Sequence, residues 1–461
     1  MKPARLGDVA ESMKNGMYKP ASEYGDDGIP CLRMYNIDAG GIVWRDIKRM
    51  RVSDAERVDY GLLEGDLLVN RVNSRELVGK TAVIPFGMEP SVFESKNIRL
   101  RLKANKARAK FINYQLLAGG RHHFAGNAQQ VVGMASISQT QLADFPIVLT
   151  SLEKQDEIVA EIEKQFSRLD EAVANLQRVK ANLKRYKASV LKDAVEGRLV
   201  PAEAELARRE GRSFETGEQL LRRILERRRS LWRGKFKAPV VHDGNELSDL
   251  PEGWSWASLG SLAWDSSYGT SAKCSYENTG PAVLRIPNVQ NGSLDLIDLK
   301  FSASDFVLDP AESVSDGDLL VIRTNGSKSL IGRAAIVLKA PATKISFASY
   351  LIRFRLVNES QLPNWVSVVW QTARMRSWIE SRAATSAGQH NISMTVLATA
   401  AIPLPPFAEQ ARIVAEVDRR LWLIGGVETE VDANLKRAQA LRQSILQKSF
   451  KTRALEVVAH D

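Results

Sequence analysis

The chain has 461 residues, 44% of them hydrophobic, with a net charge of +10 and a pI near 9.4. That is room for about three domains, and its basic balance points to a polyanionic partner, most often nucleic acid. No apolar run approaches the ~18 residues of a membrane span, the N-terminus has no apolar signal core, and two distant cysteines, Cys31 and Cys274, form neither a disulfide framework nor a zinc cluster, so a cytoplasmic location is expected.

Residues 1–150 read as a first compact domain, rich in short β-branched runs, glycines and prolines. Within it, SRELVGKT at 74–81 is one glycine short of a phosphate-binding loop. Such a loop needs a helix after it. Here AVIPF follows, which reads as a strand. ARAKFINYQLLAGG reads as helix, and His122-His123 is an isolated pair more typical of a surface than of a ligand.

Residues 151–200 predict a long helix. Ile162, Leu169, Leu176, Leu183 and Val190 recur every seven residues, and Ala172, Val179 and Tyr186 fall three residues later, as in an a/d seam. Residues 201–249 form a basic helical linker. Leu220, Leu221, Ile224, Leu225 and Leu231 give it an apolar side for packing, and Arg227, Arg228 and Arg229 could contact DNA or a partner. LPEGW at 250 opens a second domain, 250–406, in which NWVSVVWQTARMRSWIES reads as helix. A second long helix, 407–454, carries Val417, Ile424, Val431, Ala438 and Ile445, with Val427 and Leu441, before a short tail, 455–461.

The two halves repeat each other. Gly65-Asp66-Leu67-Leu68-Val69 recurs as Gly317-Asp318-Leu319-Leu320-Val321, Arg71 matches Arg323, and Asn73 matches Asn325. CLRMYNI resembles VLRIPNV, NIRLRL resembles LIRFRL, ASIS resembles HNIS, and QDEIVAEIEKQ resembles QARIVAEVDRR. In the second copy Gly-Lys-Thr has become Gly332-Arg333-Ala334, so the phosphate loop is dropped. The expected fold class is α/β (α+β). Two globular domains are joined by two long helices that pair as an intramolecular antiparallel coiled coil about a pseudo-twofold axis, an arrangement that keeps the domains apart.

No catalytic motif stands out. Leu404-Pro405-Pro406-Phe407 resembles the N-P-P-F motif of adenine methyltransferases, but the leucine removes the amide that would accept from the adenine amino group. The chain therefore reads as a binding and scaffolding protein rather than an enzyme.

In order and duplication, these features resemble the specificity subunit of a type I restriction–modification system. The carrying residues are Gly65-Asp66-Leu67-Leu68 with Arg71 and Asn73, and Gly317-Asp318-Leu319-Leu320 with Arg323-Thr324-Asn325-Gly326-Ser327. TSAGQHNIS at 385–393, PLPPFAEQARIVAEVD at 403–418, SLEKQDEIVAEIE, LKDAVEGRL and LPEGWSWASLG add to it. The first copy departs from the pattern, with no LPEGW at its start and VVGMASIS at 131–138.

The resemblance implies two target-recognition domains, each reading half of a bipartite asymmetric site on double-stranded DNA. It implies a helix pair that sets the unread spacer, two modification (methyltransferase) subunits and two restriction (translocase-nuclease) subunits. No cofactor is expected in this chain; S-adenosylmethionine, ATP and Mg belong to the partners. The alternatives are a specificity subunit of a methyltransferase-only system, or a coiled-coil scaffold binding DNA without sequence preference. Candidate DNA contacts are Arg33, Arg71, Asn73, Arg75 and Lys80 in the first domain. In the second they are Arg285, Arg323, Asn325, Ser327, Lys328, Arg333, Gln389, His390 and Asn391. Arginine pairs with guanine, and asparagine or glutamine with adenine, through two hydrogen bonds.

Overall fold

The structure, a computed structural model, describes residues 2–131, 134–232, 236–243, 247–309, 312–340, 344–357, 361–386 and 388–458. The chain forms two compact units, Met1–Arg178 with Val431–Asp461, and Val179–Glu430. Each unit thus combines one globular domain with the start of one long helix and the end of the other. No described helix is long and apolar enough to cross a membrane.

Both domains follow one plan of mainly antiparallel ladders with helices on one face. In the first unit a four-stranded sheet runs Ala10–Asn15, Asn97–Leu102, Leu67–Asn70, Thr81–Val83. In the second the order is Ala263–Tyr268, Leu351–Leu356, Asp318–Ile322, Ala334–Ile336. The Gly-Asp-Leu-Leu strand is central to both, and its leucines are buried. Its aspartate ties the frame together. Asp66 accepts both hydrogen bonds of the Arg101 fork at 2.8 Å, and Asp318 those of Arg355 at 2.9 and 3.0 Å. Each carboxylate also caps its own turn, from Leu63 N–H or Ser315 N–H.

A strand follows the glycine turn in both copies, so neither turn is a phosphate loop. Gly79 and Gly332 sit at φ +84° and +73°, a conformation side chains disfavour. A Cβ on Gly79 would meet the Phe124 ring at 2.4 Å, and one on Gly332 would meet Ile379 at 2.4 Å. The glycines serve the packing of a helix against the sheet.

The long helices are Leu152–Val195 and Phe407–Val458. Within each unit they run antiparallel. In the first, Asp170 pairs with Arg442 at 2.6 Å, while Ile158 and Ile162 share a core with Leu446 and Phe450. In the second, Arg420 lies beside Tyr186, and Val190, Leu191 and Ala194 pack with Ile413, Val414 and Val417. The heptad residues Ile162, Val190, Val417, Ile424, Val431 and Ala438 are buried.

The phase of the seam differs from expectation. Companions lie four residues on, at Phe166, Val173 and Leu421, not three: Ala172 is exposed, Val179 is 39% exposed and Leu441 52%. Both spacings share a helix face, and the partner's position decides between them.

Helix entry is fixed by a repeated glutamine. Gln155 donates to Lys106 O and Thr150 O, and Gln410 to Pro405 O. The Pro405-Pro406 pair is thus a helix start. The linker contributes helices Glu203–Glu210 and Gly217–Leu231 to the second unit, with Leu220 and Ile224 in its core. Arg228 turns inward as well: it donates to Ala263 O and Lys237 O and stacks on Trp232, so of Arg227, Arg228 and Arg229 the first and last face solvent.

Candidate nucleic-acid interface

The central strand of each domain runs past its sheet into a small three-stranded tip. In the second unit the tip joins Thr324–Asn325, Gln389–Asn391 and Ala384–Ser386, with Asn325 opposite His390 and Thr324 opposite Asn391. The Arg-x-Asn turn and the Gln-His-Asn segment are thereby one surface. The first unit builds the same tip from Val72–Asn73, Met134–Ser136 and Gln129–Val131, with Ala135 opposite Asn73. Ala135 and Ser136 therefore occupy the places of His390 and Asn391. Val132 and Gly133 lie outside the described residues.

The candidate residues are held differently in the two units. Arg323 leaves the sheet with its N–H on Tyr350 O and its carbonyl accepting from Ile392 N–H. Its guanidinium stacks over Tyr268 at 4.7 Å. Arg71 has the same backbone anchor, on Lys96 O, but its Nη1 donates to Ser95 O at 3.2 Å. Asn325 is half-buried, its oxygen accepting from Ser327 N–H. Asn73 is buried, donating to Asn70 Oδ1 at 2.7 Å and accepting from Ser74 N–H, so both its amide atoms serve the fold. His390 Nδ1 bonds Thr385 Oγ1, Gln389 is exposed and Asn391 half-buried. Ser327 bonds Ser329, and Lys328 is exposed.

Arg33 and Arg285 form a second pair away from the tips. Each caps a short helical turn whose asparagine, Asn36 or Asn288, accepts from the arginine's own N–H. Each guanidinium is tethered, to Asp46 O and to Asp298, and lies over an exposed tyrosine, Tyr35 or Tyr276. Tyr35 stands two residues after Arg33, but nothing in the sequence marks Tyr268 or Tyr276 as partners of Arg323 and Arg285, because each ring lies on or next to a strand that does not neighbour the one before its arginine. Lys80 pairs with Asp38 at 3.2 Å.

A cleft flanks the domain in each unit. In the first, Arg75, Arg121 and His122 face Gln439 and Gln443 across about 690 Å³. In the second, Arg333 and Arg376 face Lys184 and Lys187 across about 360 Å³. Arg75 is partly engaged, donating to Ala125 O. His123 is different: it packs edge-on against Phe124 and Phe145.

Residues 1–185 match the family model described as the type I restriction modification DNA specificity domain. The type I restriction enzyme EcoKI specificity subunit of Escherichia coli K12 is 23% identical over 92% of this chain and 82% of that protein. The StySPI specificity subunit of Salmonella potsdam is 24% identical over the same shares. A chain solved in work on complex assembly and conformational transition of the type I R-M system shares the fold, with a TM-score of 0.60 at 18% identity over 97% of both chains. The first 185 residues thus match a type I restriction–modification DNA specificity domain, and over nine-tenths of its length the chain is similar to type I restriction–modification specificity subunits.

Proposed function

We propose that this chain is the DNA-reading, non-catalytic subunit of a type I restriction–modification complex. Each unit reads one half of a bipartite, asymmetric site through the major groove, where all four base pairs are distinguishable. The observation that carries this is one backbone frame written twice with different side chains at its tip: Arg71, Asn73, Ala135 and Ser136 in one, Arg323, Asn325, His390 and Asn391 in the other. The net charge of +10 suits the phosphate contacts that position such a protein.

The long helices set the unread spacer, with half-sites about one DNA turn, ~34 Å, apart. They also carry apolar side chains turned to solvent, Val179 and Tyr186 on one and Trp422, Leu423 and Val427 on the other, of which Trp422 is 77% exposed. Surface of this kind fits docked protein. Two modification subunits would supply S-adenosylmethionine and adenine methylation, and two restriction subunits ATP- and Mg-dependent translocation and cleavage, in the cytoplasm.

Modified-base sequencing of DNA from cells expressing the chain with its methyltransferase partner tests the reading. A split motif methylated on adenine, and lost without this chain, is expected. Absence of any chain-dependent motif from a verified complex refutes it. Inserting one heptad into both long helices should lengthen the spacer and leave the half-site bases unchanged.

A further inference from the structure

Resting on the reading above, we propose that Arg323, held on the Tyr268 ring, recognises a guanine in the half-site of the second unit, with Tyr268 as its positioning residue. Among the described residues the Arg323 side chain has no hydrogen-bond acceptor. Its Nε is buried without a partner, whereas Nη1 and Nη2 are not buried. The only donors it can offer a ligand are therefore the two at the end of the fork. An end-on fork matches the O6 and N7 acceptors of guanine, which lie side by side in the major groove.

The fork is also pre-organised. The Arg323 backbone is bonded on both sides, to Tyr350 O and from Ile392 N–H, each at 2.9 Å. Tyr268 lies 4.7 Å beneath the guanidinium, and its hydroxyl accepts from Met394 N–H at 3.4 Å, at the start of the helix Met394–Ala398. Stacking on an aromatic face holds a guanidinium without using its donors. A side chain already in place loses less freedom on binding than one that must be ordered.

The first unit lacks this device. Asn15 pairs with Ile98 where Tyr268 pairs with Ile352, so the ring's place is taken by an asparagine. There Arg71 is held instead by a hydrogen bond to Ser95 O, which occupies part of its fork.

The test uses the intact methyltransferase complex and duplex oligonucleotides carrying its methylated motif. One half of the motif should contain an invariant guanine. Replacing it with 7-deazaguanine, which removes N7 alone, should weaken binding between about five- and a hundredfold. Against Arg323→Gln the same replacement should cost nothing further. Arg323→Lys, which keeps the charge but not the fork, should relax that position and leave the other half-site intact. Tyr268→Ala should partly relax the same base, and Tyr268→Phe should restore it. A second half-site without guanine, a 7-deazaguanine duplex bound as well as the natural one, or an unchanged motif with Arg323→Lys would overturn the assignment while leaving the function standing. A wild-type complex with no motif at all would instead remove the function beneath it.

Discussion

In the first unit the tip asparagine is locked into the fold; in the second its counterpart is left half in solvent. The cause is one residue of the central strand. Asn70 ends that strand in the first unit and bonds Asn73, Asn97 and Lys96 O, drawing Asn73 into a buried polar network. In the second unit the same place is Ile322, which is buried in apolar surroundings and has nothing to offer Asn325. An identical backbone path therefore supports a rigid, internally satisfied tip in one copy and a tip with spare polar groups in the other. Duplication preserved the frame, and single substitutions behind the tip decide which of its polar side chains the fold itself takes up.

The largest expected effect lies in the shared frame. The Asp318 side chain is fully buried and that of Arg355 is 12% exposed. Asp318→Ala would take the carboxylate from a desolvated guanidinium, which keeps its bond to Ser313 O, at a cost of about 3–5 kcal/mol. Asp66→Ala should cost less, about 1–3 kcal/mol, because the Arg101 side chain is 28% exposed and can rehydrate. Denaturant unfolding of the full chain, with amide hydrogen exchange to locate the loss in one unit, measures both. Equal losses would show that the two frames are not differently desolvated.

The tips provide the next comparison. Asn73→Ala removes a partner from buried Asn70 and should destabilise the first unit by about 1–3 kcal/mol. Asn325→Ala should stay within about 0.5 kcal/mol, as a half-exposed turn residue. Its effect should appear in the methylated motif instead. If both variants alter the motif and neither alters stability, the locked and unlocked tips are not distinct.

The frame was legible in the sequence because its parts are local and repeated. Gly-Asp-Leu-Leu and the arginine-bearing strand recur together, since the carboxylate of one meets the guanidinium of the other. What was not legible depends on contacts between distant segments. Nothing near Arg323 signals that Gln389–Asn391, far along the chain, pairs with its strand, or that Tyr268 lies under its side chain. The heptads were visible but not their phase: Phe166 joins the seam because Tyr114 packs against it at 5.7 Å and Arg442 lies over its ring. Arg227, Arg228 and Arg229 look alike in the sequence, yet of the three Arg228 is drawn inward by the carbonyls of Ala263 and Lys237.

The smallest effect separates the two cysteines without touching stability. Cys31 belongs to the strand Tyr24–Leu32 of the first unit and is fully buried. Burial, with the carboxylate of Glu94 adding to it, pushes its thiol up to about 12. Cys274 sits on the strand Cys274–Ser275 of the second unit and is half-exposed, its thiol donating to Ala272 O. Since the thiolate is the reactive form and must be reached by the reagent, a maleimide applied to the native chain near pH 8 should label Cys274 and spare Cys31. Peptide mass spectrometry would read the two sites separately. Labelling of Cys31 at a comparable rate would mean that the three-stranded sheet of the first unit opens readily, and that the first unit, rather than the second, is the looser copy.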